Sequence, residues 1–161
     1  MAKRAAPPEN PIAQLYRRPG FMIRRAHQIA VALFLEESSD LGVTTTQYGI
    51  LFILKHRPGI DQISLAKLLG LDRSTTGMVV TRLEKDGLIG RGVGATDRRR
   101  RSLQLTPAGR KMLTRLVRPA ERAQAHLLSP LAPAERAQFL DMLDKVMRSF
   151  NGSTRVPLSG E

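Results

Sequence analysis

The residues of this chain best suited to chemistry are cationic. Between Leu71 and Lys111 stand ten basic side chains (Arg73, Arg82, Lys85, Arg91, Arg98, Arg99, Arg100, Arg101, Arg110 and Lys111) against four acidic ones (Asp72, Glu84, Asp86 and Asp97). Their net +6 is half of the whole chain's +12, held in about a quarter of its 161 residues. Lysines and arginines neutralise phosphates and release counterions, which gives affinity for nucleic acid whatever its sequence. The run Asp97-Arg98-Arg99-Arg100-Arg101 suits a narrow minor groove, whose negative potential attracts an inserted Arg. A carboxylate two residues from an Arg can clamp its guanidinium, so Asp97 is expected to serve Arg99 or Arg101 and not the nucleic acid. Upstream, Arg73, Ser74, Thr75, Thr76, Thr81, Arg82 and Lys85 read as the outer side of a short helix. There an Arg can fork onto a guanine edge, hydroxyls can reach bases or phosphates, and a Thr methyl can meet a thymine methyl. Ser74 equally suits a helix cap, as does Asp72. Gly77 costs helix stability, and a close approach of another backbone or of DNA would explain it.

The elements that must position these side chains are nearly all helical. A helix is expected from Pro19-Gly20 to about Asp40, with Met22, Ala26, Ile29 and Leu33 in one stripe and Gly42 ending it. A second starts at Thr44–Thr46, carries Ile50, Leu51, Ile53 and Leu54, and stops at Pro58-Gly59. Asp61 can cap Gln62–Leu69, terminated by Gly70. The next helix, from Asp72 or Ser74 to Gly87, is expected to turn Met78, Val79 and Leu83 inward. Two helices joined by a short turn containing Gly form a helix-turn-helix pattern. After Gly87 the period changes. Leu88-Ile89 reads as a strand, Gly90, Gly92 and Gly94 as a hairpin tip, and alternating Leu103 and Leu105 as the return strand. Thr106-Pro107 then opens a helix with Leu113, Leu116, Ala120, Ala123 and Leu127 on one face, broken at Ser129-Pro130. A last helix follows Pro133, with Phe139, Leu143, Val146 and Phe150 on one side. The expected class is mainly α with a small β-hairpin wing: a winged helix-turn-helix.

The stretch LDRSTTGMVVTRLEKDGLI, followed by ATDRRRRSLQLTPAG, resembles the multiple-antibiotic-resistance regulator (MarR) family of bacterial winged-helix transcription factors. The resemblance runs from about residue 18 to residue 150. It implies a two-fold homodimer held by the N- and C-terminal helices, the Arg73–Asp86 helix in the major groove and the wing in the minor groove. The family's Asp-x-Arg wing signature falls on Asp97 and Arg99. The family has bulkier residues where this chain has Thr76-Gly77, so base preference does not carry over. The organisation expected is a flexible basic arm at 1–16, a dimerisation helix at 17–43, the DNA-binding lobe at 44–106, C-terminal dimerisation helices at 107–151 and a flexible tail at 152–161. The wide apolar face of the first helix exceeds what one lobe can cover, which also points to an obligate dimer. The family's effector pocket lies between the dimerisation helices and the DNA-binding lobe. Arg24, His27 and Val31, at i, i+3 and i+7, share the helix face expected to point there. Arg24 offers a fork for a carboxylate, His27 a second hydrogen bond, and Tyr48 and Phe52 can wall a ring. A small organic anion, an aromatic carboxylate, is the expected effector.

Other chemistry is poorly supported. With no Cys there are no disulfides, thiolate metal sites or cysteine nucleophiles, and redox sensing through cysteine is excluded; the composition agrees with a cytoplasmic location. His27, His56 and His126 have no metal-ligand spacing, and no phosphate-cradling Gly loop or nucleophile elbow is present, so neither an enzyme nor a cofactor is expected. No apolar run approaches the roughly 18 residues of a membrane span, and the arginines cluster on a hairpin where a membrane-surface helix would need them on one helical face. The function expected is a DNA-binding regulator, a repressor released from a pseudo-palindromic operator by a small aromatic acid. The competing reading is an architectural DNA binder without an effector.

Overall fold

The computed structural model describes residues 10–93 and 101–158. Seven helices among them run α1 (Pro11–Tyr16), α2 (Pro19–Glu37), α3 (Thr45–His56), α4 (Gln62–Leu69), α5 (Arg73–Lys85), α6 (Pro107–Leu127) and α7 (Pro133–Phe150). Three short strands complete the fold: β1 (Ile60–Asp61), β2 (Ile89–Val93) and β3 (Arg101–Leu105). The helix starts follow local chemistry. Thr44 and Gln47 close a capping box on α3, Asp61 accepts the N–H groups of Ile63 and Ser64 on α4, and Thr106 accepts that of Gly109 on α6. Gly70 ends α4 in the left-handed conformation, φ +63°, which glycine adopts without a steric penalty.

The sheet is antiparallel in the order β1-β3-β2, pairing Ile60 with Leu103 and Ile89 with Leu105. The sequence pattern predicts the β2–β3 hairpin but not β1, because a strand of two residues, Ile60 and the capping Asp61 itself, leaves no period to detect. The core lies under this sheet and between α3, α4, α5 and α6. Ile50, Leu51, Leu54, Leu65, Val80, Leu83, Leu103 and Leu116 are fully buried or nearly so, as aliphatic burial requires in a chain with 4% aromatics. At Gly77 a Cβ would stand 3.1 Å from Gln62 Nε2, the end of a flexible side chain at the start of α4, and no backbone of another described element lies within 4 Å of it.

Three expectations need correction. The first concerns the stripe of α5. The buried residues are Thr76, Val80 and Leu83, an i, i+4, i+7 set, whereas Met78 is 68% exposed and Val79 half-buried. Second, the expected loose arm ends in helix α1: Pro11 sits at its first turn, where the missing N–H is harmless, and Asn10 accepts the Ile12 N–H. Third, the expected tail folds back after α7. A 3₁₀ turn at Asn151–Ser153 is followed by a reciprocal pair, Asn151 Nδ2 donating to the Leu158 carbonyl and the Leu158 N–H to Asn151 Oδ1.

No residue of α7 is buried in the single chain. Leu140, Met142, Val146, Met147 and Phe150 stand exposed, as do Met22, Ile23, Ile29 and Leu35 of α2. No helix among the described residues is long and apolar enough to cross a membrane.

Candidate nucleic-acid interface and ligand cavity

The outer face of α5 is built by its cap. Asp72 accepts the Thr75 N–H (2.9 Å) and the Thr75 hydroxyl (2.7 Å), and these bonds hold its carboxyl below the ordinary carboxylate value. Asp72 therefore starts the helix, and Ser74 is an exposed residue of its first turn. Two hydroxyls read as outward are spoken for. Thr75 is half-buried on the cap, and fully buried Thr76 donates to the Asp72 carbonyl at 2.9 Å. The face that remains consists of Arg73, Ser74, Met78, Thr81, Arg82 and Lys85, all exposed. Met78 is the member sequence reading missed. The signal was available, since placing Val80 inward sends Met78, two residues earlier and about 200° round the helix, to the other side.

The cations differ in freedom. Arg82 is paired with Asp86 at 2.9 Å along the helix. Arg91 of β2 is bound to Glu84 of α5, which raises its pKa further and ties the hairpin to the recognition face. Arg110 Nη1 donates to the Leu105 carbonyl at 2.9 Å. Asp97, Arg98, Arg99 and Arg100 lie outside the described residues, as does the side chain of Arg101. The hairpin joins α6 tightly. The Thr106 hydroxyl donates to the Gly87 carbonyl at 2.7 Å, and a Cβ at Gly109 would fall 1.9 Å from the Leu88 carbonyl oxygen.

A cavity of about 260 Å³ opens between α2, α3 and α6. Its polar lining is His27, Thr45, Tyr48 and Gln124, and Val31 and Phe34 are among its apolar walls. Of the residues singled out from sequence it brings together His27, Val31 and Tyr48. Arg24 is not in the lining; its guanidinium lies 4.8 Å from the Phe21 ring centre, a cation–π contact on α2. Phe52 is also outside, 47% exposed, with its ring 6.0 Å from Tyr48 and 4.5 Å from His56. Thr45, Gln124 and the α6 wall were not foreseen; they come from elements distant in sequence, and only the packing of α6 on α2 assembles them. Burial, and secondarily the Glu121 charge, push the Tyr48 hydroxyl above its usual value, so it is a neutral donor near pH 7. Arg122 and Glu37, 2.6 Å apart, pin α6 to the end of α2.

Residues 43–100 match the model of the MarR family. A protein of Thauera aromatica assigned to transcriptional regulation of the hcr operon is 35% identical over 130 residues, covering 80% of this chain and 78% of that one. The PcaV transcriptional regulator of Streptomyces coelicolor, solved with its natural ligand, superposes with a TM-score of 0.74 at 34% identity, covering 83% of this chain and 94% of PcaV. BpsR of Bordetella bronchiseptica, whose DNA binding is regulated by 6-hydroxynicotinic acid, superposes with a TM-score of 0.77 at 29% identity, covering 81% of this chain and 94% of BpsR. With the recognition helix, the hairpin and the helix order all in place, the chain belongs to the MarR family and is a transcriptional regulator of that type.

Proposed function

We propose that this regulator is a homodimeric repressor whose hold on a pseudo-palindromic operator is released by a small aromatic acid bound between α2, α3 and α6. The observation that carries this reading is the cavity itself. An apolar cavity of roughly 150 Å³ takes a benzene ring, so about 260 Å³ suits one ring with polar substituents. Phe34, Val31 and Tyr48 supply walls, while His27, Thr45, Tyr48 and Gln124 supply hydrogen bonds. Since Arg24 is not in the lining, the carboxylate is received by the His27 and Tyr48 donors. The acid-responsive relative BpsR supports the ligand class. The uncovered apolar faces of α2 and α7 support a partner copy, since a two-fold axis uses such a patch twice. It would set two α5 helices about one DNA turn, roughly 34 Å, apart. The Asp97–Arg101 run is proposed as the minor-groove contact of the hairpin.

Release requires only that the ligand favour a lobe spacing that misfits the operator. A hundredfold loss of DNA affinity corresponds to a coupling of about 2.7 kcal/mol, within the usual range. The test begins with a duplex enriched by the protein from a random library. Benzoate, salicylate, 4-hydroxybenzoate and 6-hydroxynicotinate are then titrated against the complex by fluorescence anisotropy. At least one acid is expected to weaken binding tenfold or more, with Tyr48→Phe and His27→Ala raising the concentration needed while leaving DNA affinity unchanged. Release untouched by either substitution would move the site elsewhere. No release by any acid would favour the architectural reading.

A further inference from the structure

The segment following α7 returns to the helix-turn-helix. The reciprocal Asn151–Leu158 hydrogen bonds, 2.9 and 2.8 Å, close it into a loop, and the Thr154 hydroxyl donates to the Asn151 carbonyl at 2.8 Å. The Leu158 side chain rests on Gly70, the residue of the turn between α4 and α5: a Cβ at Gly70 would lie 3.2 Å from Leu158 Cδ2. Thr154 and Val156 line a shallow cavity together with Leu69, Gly70 and Met147. Arg155, between them, is exposed. Its positive field reaches Asp72, adding to the stronger effect of the Thr75 bonds in holding that carboxyl below its ordinary value. The segment, anchored by Leu158 on Gly70, thus lies at the turn that precedes the helix carrying the base-reading face. In helix-turn-helix proteins the N-terminal residues of the recognition helix meet base edges, and the preceding helix crosses the phosphate backbone.

We propose that Asn151–Leu158 is a strap that presents Arg155 to a DNA phosphate beside the start of α5, a second, sequence-independent DNA contact outside the winged-helix lobe. The proposal rests on the DNA-binding reading above but not on the effector. The strap explains two features together: a helix-terminating Gly70 covered by Leu158, and an Asn at position 151 whose side chain saturates the backbone of a residue seven positions on.

The test uses the full chain, with circular dichroism melting to confirm that each variant folds. Affinity for the library-selected duplex and for a random duplex is measured by anisotropy between about 50 and 200 mM KCl, where phosphate contacts dominate the salt dependence. Arg155→Ala is expected to weaken both duplexes about equally, on the order of tenfold at low salt, and to flatten the log–log salt slope by about 0.9 for each bound chain. Arg155→Lys keeps the slope. Leu158→Asp, which frees the strap but leaves the arginine, reproduces the loss, and adding Arg155→Ala to it costs nothing more. Two outcomes overturn the proposal: an Arg155→Ala variant with parental affinity and slope, or a loss confined to the selected duplex with an unchanged slope, which would place Arg155 upstream of the recognition helix alone. A parent that binds no DNA would instead sink the DNA-binding reading, and the strap with it.

Discussion

Adding a single methyl group to Gly109 should unseat the junction between the hairpin and α6. The built Cβ lies 1.9 Å from the Leu88 carbonyl oxygen and 2.9 Å from its carbon, whereas carbon–oxygen contacts between packed backbones settle at about 3.3–3.6 Å. The two segments must therefore separate by about 1.4 Å, and both are backbone, so no side chain can swing aside. The same carbonyl accepts the Thr106 N–H at 3.1 Å, and the Thr106 hydroxyl donates to the Gly87 carbonyl at 2.7 Å. Moving α6 outward stretches both. Overpacking costs about 1–3 kcal/mol and each strained hydrogen bond about 1 kcal/mol. Replacing a helical Gly by Ala returns about 1 kcal/mol. The net for Gly109→Ala is a loss of about 2–4 kcal/mol, or about 5–15 °C in Tm for a chain of this size. Circular dichroism melting at matched protomer concentration reads it, because association contributes to the apparent Tm. Gly77→Ala is the internal control. Its Cβ would meet only Gln62 Nε2, at 3.1 Å, the far end of a flexible side chain. Its Tm should stay level or rise by a few degrees, with a gain of up to about 1 kcal/mol. If Gly109→Ala melts at or above the parent, or if the two variants shift alike, the reasoning from contact distance is wrong.

Met78→Ala should weaken the selected duplex by about 1 kcal/mol, through lost contact with thymine methyls, and leave random DNA unaffected. Replacing the contacted thymine by uracil should reproduce the loss in the parent and add nothing in the variant. Asp72 carries a depressed folded pKa, so the stability from its cap is complete above the unfolded carboxylate value, about 3.9. That stability disappears as pH falls through the folded value. Urea midpoints should show parent and Asp72→Ala well apart at neutral pH and converging below about pH 4; a gap that widens on acidification would contradict the capping role. Val146→Asp or Phe150→Asp, on the uncovered face of α7, should turn a dimer into a monomer in sedimentation velocity and abolish tight operator binding; an unchanged dimer would put the two-fold interface elsewhere.

The helices and hairpin were legible because their signals are local. Thr44, Asp61, Asp72 and Thr106 announce their helices by cap chemistry, and Gly70 and Gly87 stop theirs with a positive φ. What escaped depends on packing. The buried stripe of α5 was set by Thr76, a polar residue that satisfies its hydroxyl on the Asp72 carbonyl and so can face the core. Hydrophobicity alone placed Met78 there in its stead. β1 exists only because β3 offers it a ladder. The strap was unreadable because its partner, Gly70, lies more than eighty residues away in sequence. In the cavity, sequence spacing found the α2 and α3 contributions but not the α6 side, and it admitted Arg24 on charge when its guanidinium is held over Phe21.

The two candidate sites share one mechanical element. Helix α6 begins against the hairpin, where the missing Cβ of Gly109 lets Leu88 lie on the helix backbone. It ends at the cavity, which Ala120, Ala123, Gln124 and Leu127 help to line. Fourteen residues separate Gly109 from Ala123, about 21 Å at 1.5 Å per residue. A contact as tight as that at Gly109 leaves no room for the hairpin to slide on α6, so the two move together or the junction breaks. On the other side Arg122 and Glu37 tie α6 to α2, one of the elements with an uncovered apolar face. On the proposed mechanism, a ligand that separates α3 from α2 and α6 turns the α3–α4–α5 lobe against a frame formed by α2 and α6. Because the hairpin is bonded to α6 through Thr106 and to the lobe through the β1–β3 ladder, the Gly59 N–H on the Leu103 carbonyl and the Arg91–Glu84 pair, that rotation must strain one of these attachments. The Arg91–Glu84 pair, with side chains 29% and 26% exposed, is the attachment made by side chains alone. On the proposed mechanism it is the contact that yields, and the recognition helix and the hairpin then lose the mutual spacing that one operator half-site requires.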